Sequence, residues 1–257
     1  MSRIADAFKN IPIFMPYFPL GYPDLATSID VIEALAKNGA DLIEVGLSFS
    51  DPLADGPVIQ KATQVALEKG ITVGKSLAAV AELRQRGVII PLILMGYYNP
   101  MQAYGLEKFV NDAANAGADG FIIPDLPMEE AGEFVEAIGE LPMPLIRMLA
   151  PTTSNDRMET IARNAQGFIY LVSVTGVTGA RTSVAEGLGD LIGRVREHTS
   201  VPVCVGFGIG TPEQARHVGA LADGVIVGSA CVRAMGESKN PVKTAGQFAR
   251  EFRDALK

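Results

Sequence analysis

The sequence predicts a single (β/α)8 barrel, and three observations predict it. Eight short apolar runs recur along the chain with helical patterns between them; most are continuous rather than alternating, as parallel strands covered on both faces are. A small glycine-containing device repeats where helical patterns return to apolar runs. The 257 residues also carry no linker, low-complexity run or charge block, and that is the usual length of one such barrel. One domain over 1–257 follows, and the absence of GxGxxG after the first run disfavours an open dinucleotide-binding sheet.

In chain order the strands are expected at 13–18, 42–47, 91–95, 120–123, 144–150, 167–173, 201–207 and 224–228. Helical patterns lie at 24–38, 73–86, 106–116, 128–138, 155–164, 184–198 and 212–218, and 241–256 is the last helix, packed against the start of the chain. A helix or turn begins at Pro57. Alternating elements of this kind argue for a parallel sheet. The returns read Asn38-Gly39-Ala40-Asp41 before the second strand, Ala116-Gly117-Ala118-Asp119 before the fourth, and Gly219-Ala220-Leu221-Ala222-Asp223 before the eighth. In each, glycine is expected to supply a left-handed helix cap. These returns share one face; the opposite face, where strands run into Pro/Gly-rich loops, is the functional one in such barrels.

The composition excludes several functions. With 22 basic and 29 acidic residues the formal charge is −7, and no basic cluster interrupts the chain, so a nucleic-acid or anionic-membrane surface is not expected. No apolar run approaches the ~18 residues of a membrane span, and MSRIADAFKN lacks a signal core, which makes a soluble cytoplasmic protein the default expectation. Cys204 and Cys231 form no CxxC pair and read as small buried apolar residues.

The chemistry is left to carboxylates. His198 and His217, the two histidines, fall near helix ends. His/Cys clusters with metal-ligand spacing are absent, and no lysine lies in an expected strand to form a Schiff base. Glu44, Asp55 and Asp125 lie at or just beyond strand ends, where burial would make a carboxyl group a usable general acid. Asp51 and Asp55 also fit the capping of the helix or turn at Pro57. Glu44 has no cap to make: Leu42, Glu44 and Gly46 share one face of a strand. An acid on an interior face is costly unless used or paired, and Arg147 is its possible partner.

Two further segments bear on binding. Val205–Pro212 (VGFGIGTP) follows the seventh strand and Gly228-Ser229-Ala230 the eighth, each opening a helix. Consecutive loops of this kind form the common phosphate site of these barrels. Residues 173–181 (SVTGVTGAR), after the sixth strand, are small, polar and hinge-rich, as a closing lid should be.

These motifs taken together, FSDPLADGPVIQ with Glu44 before it, MGYYNP, IPDLP, LAPTT, SVTGVTGA, GFGIGTPEQ and GSA, closely resemble the tryptophan synthase alpha-chain family, in order over about residues 1–235. The resemblance implies a (β/α)8 barrel that cleaves indole-3-glycerol phosphate to indole and glyceraldehyde 3-phosphate without metal or organic cofactor, alongside a beta chain in an α2β2 heterotetramer. It assigns Glu44 to proton transfer and Asp55 as the second catalytic carboxylate. Thr178 and Gly179 match the lid. Gly179, Phe207, Gly208, Gly228 and Ser229 match the phosphate cradle. Tyr17, Leu94, Ile122, Leu149, Tyr170 and Ile226 fall where the family lines the indole pocket, and Asp51 and Asn99 where it faces the beta chain. Two positions depart from the pattern: Ser48 replaces the usual proline, and Arg147 an apolar residue. A free-standing lyase and a mainly regulatory subunit are the alternative readings.

Overall fold

Eight parallel strands form one sheet in the computed structural model, which describes residues 2–172, 181–206 and 208–257, without the side chains of 181–186. The strands are β1 (Ile13–Pro19), β2 (Ile43–Gly46), β3 (Leu92–Met95), β4 (Gly120–Ile122), β5 (Arg147–Leu149), β6 (Ile169–Val172), β7 (Val203–Gly206) and β8 (Gly224–Val227). Their order is β4-β3-β2-β1-β8-β7-β6-β5, and one bridge, Phe121 to Leu145, joins the two outer strands and closes the barrel. All eight expected strands are present, each within three residues of its expected ends.

The helices α1 (Arg3–Ala7), α2 (Leu25–Lys37), α3 (Pro57–Glu68), α4 (Val73–Gln85), α5 (Tyr98–Tyr104), α6 (Leu106–Ala116), α7 (Gly132–Ile138), α8 (Asn155–Arg163), α9 (Arg181–Arg196), α10 (Pro212–Gly219), α11 (Ser229–Gly236) and α12 (Pro241–Ala255) surround the sheet. The single helix expected at 128–138 is instead a 3₁₀ turn, Met128–Glu130, followed by α7. Phe14 of β1 stacks on Phe252 of α12, with ring centroids 5.4 Å apart, so the last helix does pack on the start of the chain. The short α1 puts Ile4 and Phe8 against the interior cluster, Phe8 meeting Phe168 at 5.9 Å; this plugs the end of the barrel at which the strands begin.

Strand alternation separates two cores. Ile13 and Met15, Leu42, Ile93, Ile122, Ile146, Phe168 and Tyr170, Cys204, and Ile226 form one cluster to which every strand or its lead-in residue contributes. Only the barrel interior can collect side chains from all eight. The intervening positions face the helices, as Phe121 does toward Phe109 of α6 and Phe134 of α7. Cys204 and Cys231 are both free and fully buried.

The glycine-aspartate returns prove to be hydrogen-bonding devices. Asp41 Oδ2 accepts from the Phe14 amide of β1, Asp119 Oδ2 from Leu92 of β3, and Asp223 Oδ2 from Val203 of β7, each at 2.8 Å. Each carboxylate before an even-numbered strand thus secures the start of the preceding one, and each meets an arginine: Arg253 for Asp41, Arg84 and Arg3 for Asp119, Arg196 for Asp223. Gly39 and Gly117 have the positive φ expected of them. Gly219 does not; it is the last residue of α10, and a Cβ there would stand 2.5 Å from Leu256. Close helix packing, not a left-handed cap, requires that glycine.

Candidate active site

β2 carries Glu44 into the interior at the level of Tyr17 on β1 and Ile93 on β3. The residue is 1% exposed, and among the described residues its Oε1 has no hydrogen-bond partner. Burial without a compensating charge pushes its pKa from 4.5 up to about 8. The rival ion pair with Arg147 is not formed: Arg147 alternates with the interior Ile146 and so stands on the outer face of β5. Among the described residues no cation lies within ion-pair distance of Glu44. A buried neutral carboxylic acid with one unbonded oxygen can give up a proton and recover it near neutrality.

Asp55 follows in the loop between β2 and α3. Its Oδ2 accepts a hydrogen bond from Tyr97 Oη at 3.0 Å, and the same hydroxyl oxygen accepts from the Ala54 amide at 3.0 Å. Burial raises the Asp55 pKa while the Tyr97 bond holds it down. Neither Asp51 nor Asp55 caps α3: its N-cap is Gly56, without a side-chain bond, and Pro57 occupies the first turn. Asp125 does cap a helix, accepting from the Tyr98 amide at the start of α5 at 3.0 Å. Of the three strand-end acids, then, Asp125 serves structure and the other two face the interior.

Two tyrosines flank these acids. The buried hydroxyls of Tyr17 and Tyr170 both experience the charges of Glu44 and Asp55, and burial together with those charges raises both phenol pKa values well above 10. Both therefore stay neutral. Each lies over a glycine of the next strand; a Cβ on Gly46 would come within 2.3 Å of Tyr17 Oη, and one on Gly206 within 2.4 Å of Tyr170 Oη. The two glycines are the space the rings occupy.

The glycine-rich loops lie at the same rim. Gly208 has φ +75°, and Thr211 and Gln214 form a capping box at the start of α10. Gly228 is the N-cap of α11 without a side-chain bond, and a Cβ there would touch Tyr17 and Ile59 at ordinary contact distance. Among the described residues the amides of Ser229, Ala230 and Cys231 have no acceptor, which leaves the first turn of α11 open to an anion beside Tyr17. No group of three or more His, Cys, Asp or Glu side chains is arranged to hold a metal among the described residues, nor is any described helix long and apolar enough to cross a membrane.

Comparison with known proteins decides the family: the description of the tryptophan synthase alpha chain family matches residues 5–257. The chain belongs to the tryptophan synthase alpha chain family. It is 46% identical over 263 residues to the tryptophan synthase alpha chain of Chloroflexus aurantiacus, covering 100% of this chain and 99% of that one. The alpha subunit from Legionella pneumophila superposes with a TM-score of 0.89 at 36% identity, over 100% and 98% of the two chains. A chain of Mycobacterium tuberculosis tryptophan synthase does so with a TM-score of 0.89 at 34% identity, over 100% of each.

The pocket positions expected of an alpha chain divide by strand parity. Tyr17, Ile122, Tyr170 and Ile226 face the interior. Leu94 and Leu149 do not, and both are corrections: Leu94 shares a level with Val45 and Phe121 in the layer under the helices, and Leu149 packs with Met158 and Ile161 of α8. Met95 and Met148, one residue away in each strand, face inward instead. Thr178, Gly179 and the rest of 173–180, and Phe207, lie outside the described residues. Asp51 and Asn99 are exposed at the rim, Asp51 accepting from the Ser50 hydroxyl. Ser48 Oγ is buried and has no hydrogen-bond partner among the described residues. Tyr97, which donates to Asp55, is the site residue that sequence spacing missed; its position 42 residues from Asp55 offers no local signal.

Proposed function

We propose that the chain cleaves indole-3-glycerol phosphate to indole and glyceraldehyde 3-phosphate, as the alpha chain of a tryptophan-forming enzyme that works with a beta chain. The observation that carries this reading is Glu44, buried, with Oε1 unbonded among the described residues and its pKa raised to about 8.

The mechanism follows from what the bond requires. Indole is a poor leaving group as a carbanion, so the ring carbon bearing the side chain takes a proton from Glu44 first. The ring nitrogen becomes cationic, and Asp55, held by Tyr97, accepts its N–H and stabilises the charge. The Glu44 carboxylate then takes the proton of the adjacent side-chain hydroxyl. That carbon becomes the aldehyde, the carbon–carbon bond breaks, and its electron pair restores the indole ring. Glu44 ends protonated as it began. The amides at the start of α11 hold the phosphate away from the breaking bond, and that binding fixes orientation.

Indole release by the isolated chain, with and without a beta chain, tests the reading. Glu44→Gln should keep substrate binding and lose turnover by about 10² to 10⁴, the range general acid–base catalysis supplies; near-normal turnover removes Glu44 from the mechanism. A large rise on adding the beta chain supports the synthase reading, whereas full activity alone supports a free-standing lyase.

A further inference from the structure

The barrel wall is weakest between β4 and β5, which share one bridge where other neighbours share two to four register pairs. Above that bridge the strands part around a cleft of about 440 Å³, a size that suits a small organic molecule. Its walls are largely apolar: Leu126 and Met128 from the loop after β4, Ile146, Met148 and Leu149 from β5 and its lead-in, and Ile161 of α8. It reaches Ala54, next to Asp55, at one end and Val172, the last residue of β6, at the other.

Three charged side chains line it. Arg157 is paired with Glu129 at 2.9 Å. Asp125 turns one oxygen to the Tyr98 amide. Arg147 is half-buried in the wall, and among the described residues it has no carboxylate within ion-pair distance and donates no hydrogen bond. Burial therefore weakens its hold on its proton, with only the more distant charge of Glu129 opposing. A partly desolvated guanidinium facing apolar walls is an incomplete site: five donors in a planar fork fit one carboxylate bidentately, and the walls fit an apolar body.

We propose that the β4–β5 cleft binds a small apolar monocarboxylate, with its carboxylate on Arg147 and its hydrocarbon part between Met128, Leu126 and Leu149. The cleft borders the barrel interior through Ile146 and Met148, but Arg147 and Leu149 stand on the opposite face of β5 from those two, and the proposal does not depend on the reaction assigned to Glu44. The cleft reaches Ala54, next to Asp55, at one end, so an occupant that extends there is linked to the loop that carries Asp55, and linkage is reciprocal.

The probe is 2-naphthoate, with 2-naphthylmethanol as its neutral counterpart, titrated into the full chain by calorimetry and by spectra of ¹³C-methyl-labelled methionine. Naphthoate should shift the methyl of Met128 and leave that of Met95, inside the barrel mouth, unmoved. Arg147→Met, which keeps the apolar stem, should weaken naphthoate about tenfold or more, as loss of a charge-assisted hydrogen bond does, and leave the alcohol unchanged. Saturating indole and inorganic phosphate should not displace it. Equal affinity of wild type and Arg147→Met, a shift confined to Met95, displacement by indole, or no binding at all would each overturn the proposal. The methionine spectra of the wild-type chain decide the location even if the variant folds poorly.

Discussion

A buried acid whose pKa is raised makes folding depend on pH in the sense opposite to a salt-bridged acid. Glu44 titrates at about 8 in the folded chain against 4.5 as its ordinary value. Below pH 4.5 it is protonated in both states and its contribution is fully present. Between 4.5 and about 8 the unfolded chain has released the proton and the folded chain keeps it, so stability falls as pH rises, by about 1.4 kcal/mol per unit. Above 8 the dependence levels off. Urea unfolding of wild type and Glu44→Gln between pH 5.5 and 7.5 should show the wild type losing stability relative to the variant; a constant difference would mean that Glu44 has an ordinary pKa. Turnover should likewise decline above about pH 8 as the acid form is lost. Tyr97 offers a second test. Tyr97→Phe removes the donor to Asp55 and leaves the Ala54 amide without its acceptor, so kcat should fall about tenfold with little change in KM, from the worth of a hydrogen bond to a charged group. An unchanged kcat would leave Asp55 positioned by something else. Glu44 was legible because an acid inside an apolar strand has no local use; Tyr97 was not, because only the fold brings it to Asp55.

At the scale of elements, the repeated glycine–aspartate returns were visible in the sequence as turns, and the structure gives the aspartates a separate function. Asp119 is the most enclosed of the three: 8% exposed, bonded to the Leu92 amide, and paired with Arg84 at 2.5 Å and Arg3 at 2.9 Å. Arg84 also donates to the carbonyls of Gly117, Val88 and Ile90, so its charge cannot turn to solvent when the partner is lost. Asp119→Ala should therefore cost about 3–5 kcal/mol, the range for breaking a buried pair. Asp223 meets an Arg196 whose side chain is 45% exposed, and Asp223→Ala should cost less, about 1–3 kcal/mol, chiefly the orphaned Val203 amide. Chemical denaturation of the two variants compares them directly, and equal losses would mean that the arginines add nothing. The strands were readable because most are continuous apolar runs. That same continuity hid which face of each strand turns inward: Leu92–Met95 is apolar at every position, so parity could not be read and Leu94 was exchanged for Met95. The short helices α1 and α5 had no periodicity long enough to register.

For the whole molecule, the order of runs along the chain says that a barrel closes but not how firmly at each seam. Seven of the eight neighbouring pairs are joined through two to four register positions, whereas β4 and β5 meet through the Phe121 amide donating to Pro144 at 3.0 Å and the Ile146 amide donating to Phe121 at 2.8 Å. The bridge residues Phe121 and Ile146 are themselves buried, so the seam is short of ladder bonds rather than of cover. Local opening draws on regions with few cooperative bonds, and the free energy of opening there lies below that of global unfolding. The opposite side of the barrel has more: β1 pairs with β2 and β8, and α12 lays Phe248 and Phe252 against Phe14. Hydrogen exchange followed by mass spectrometry should therefore find peptides spanning 120–124 and 144–150 exchanging well before those of β1 and β8, at denaturant concentrations too low to unfold the chain. If the seam exchanges only with the rest of the barrel, the closing bridge is as strong as the ladders, and the wall opens nowhere short of global unfolding.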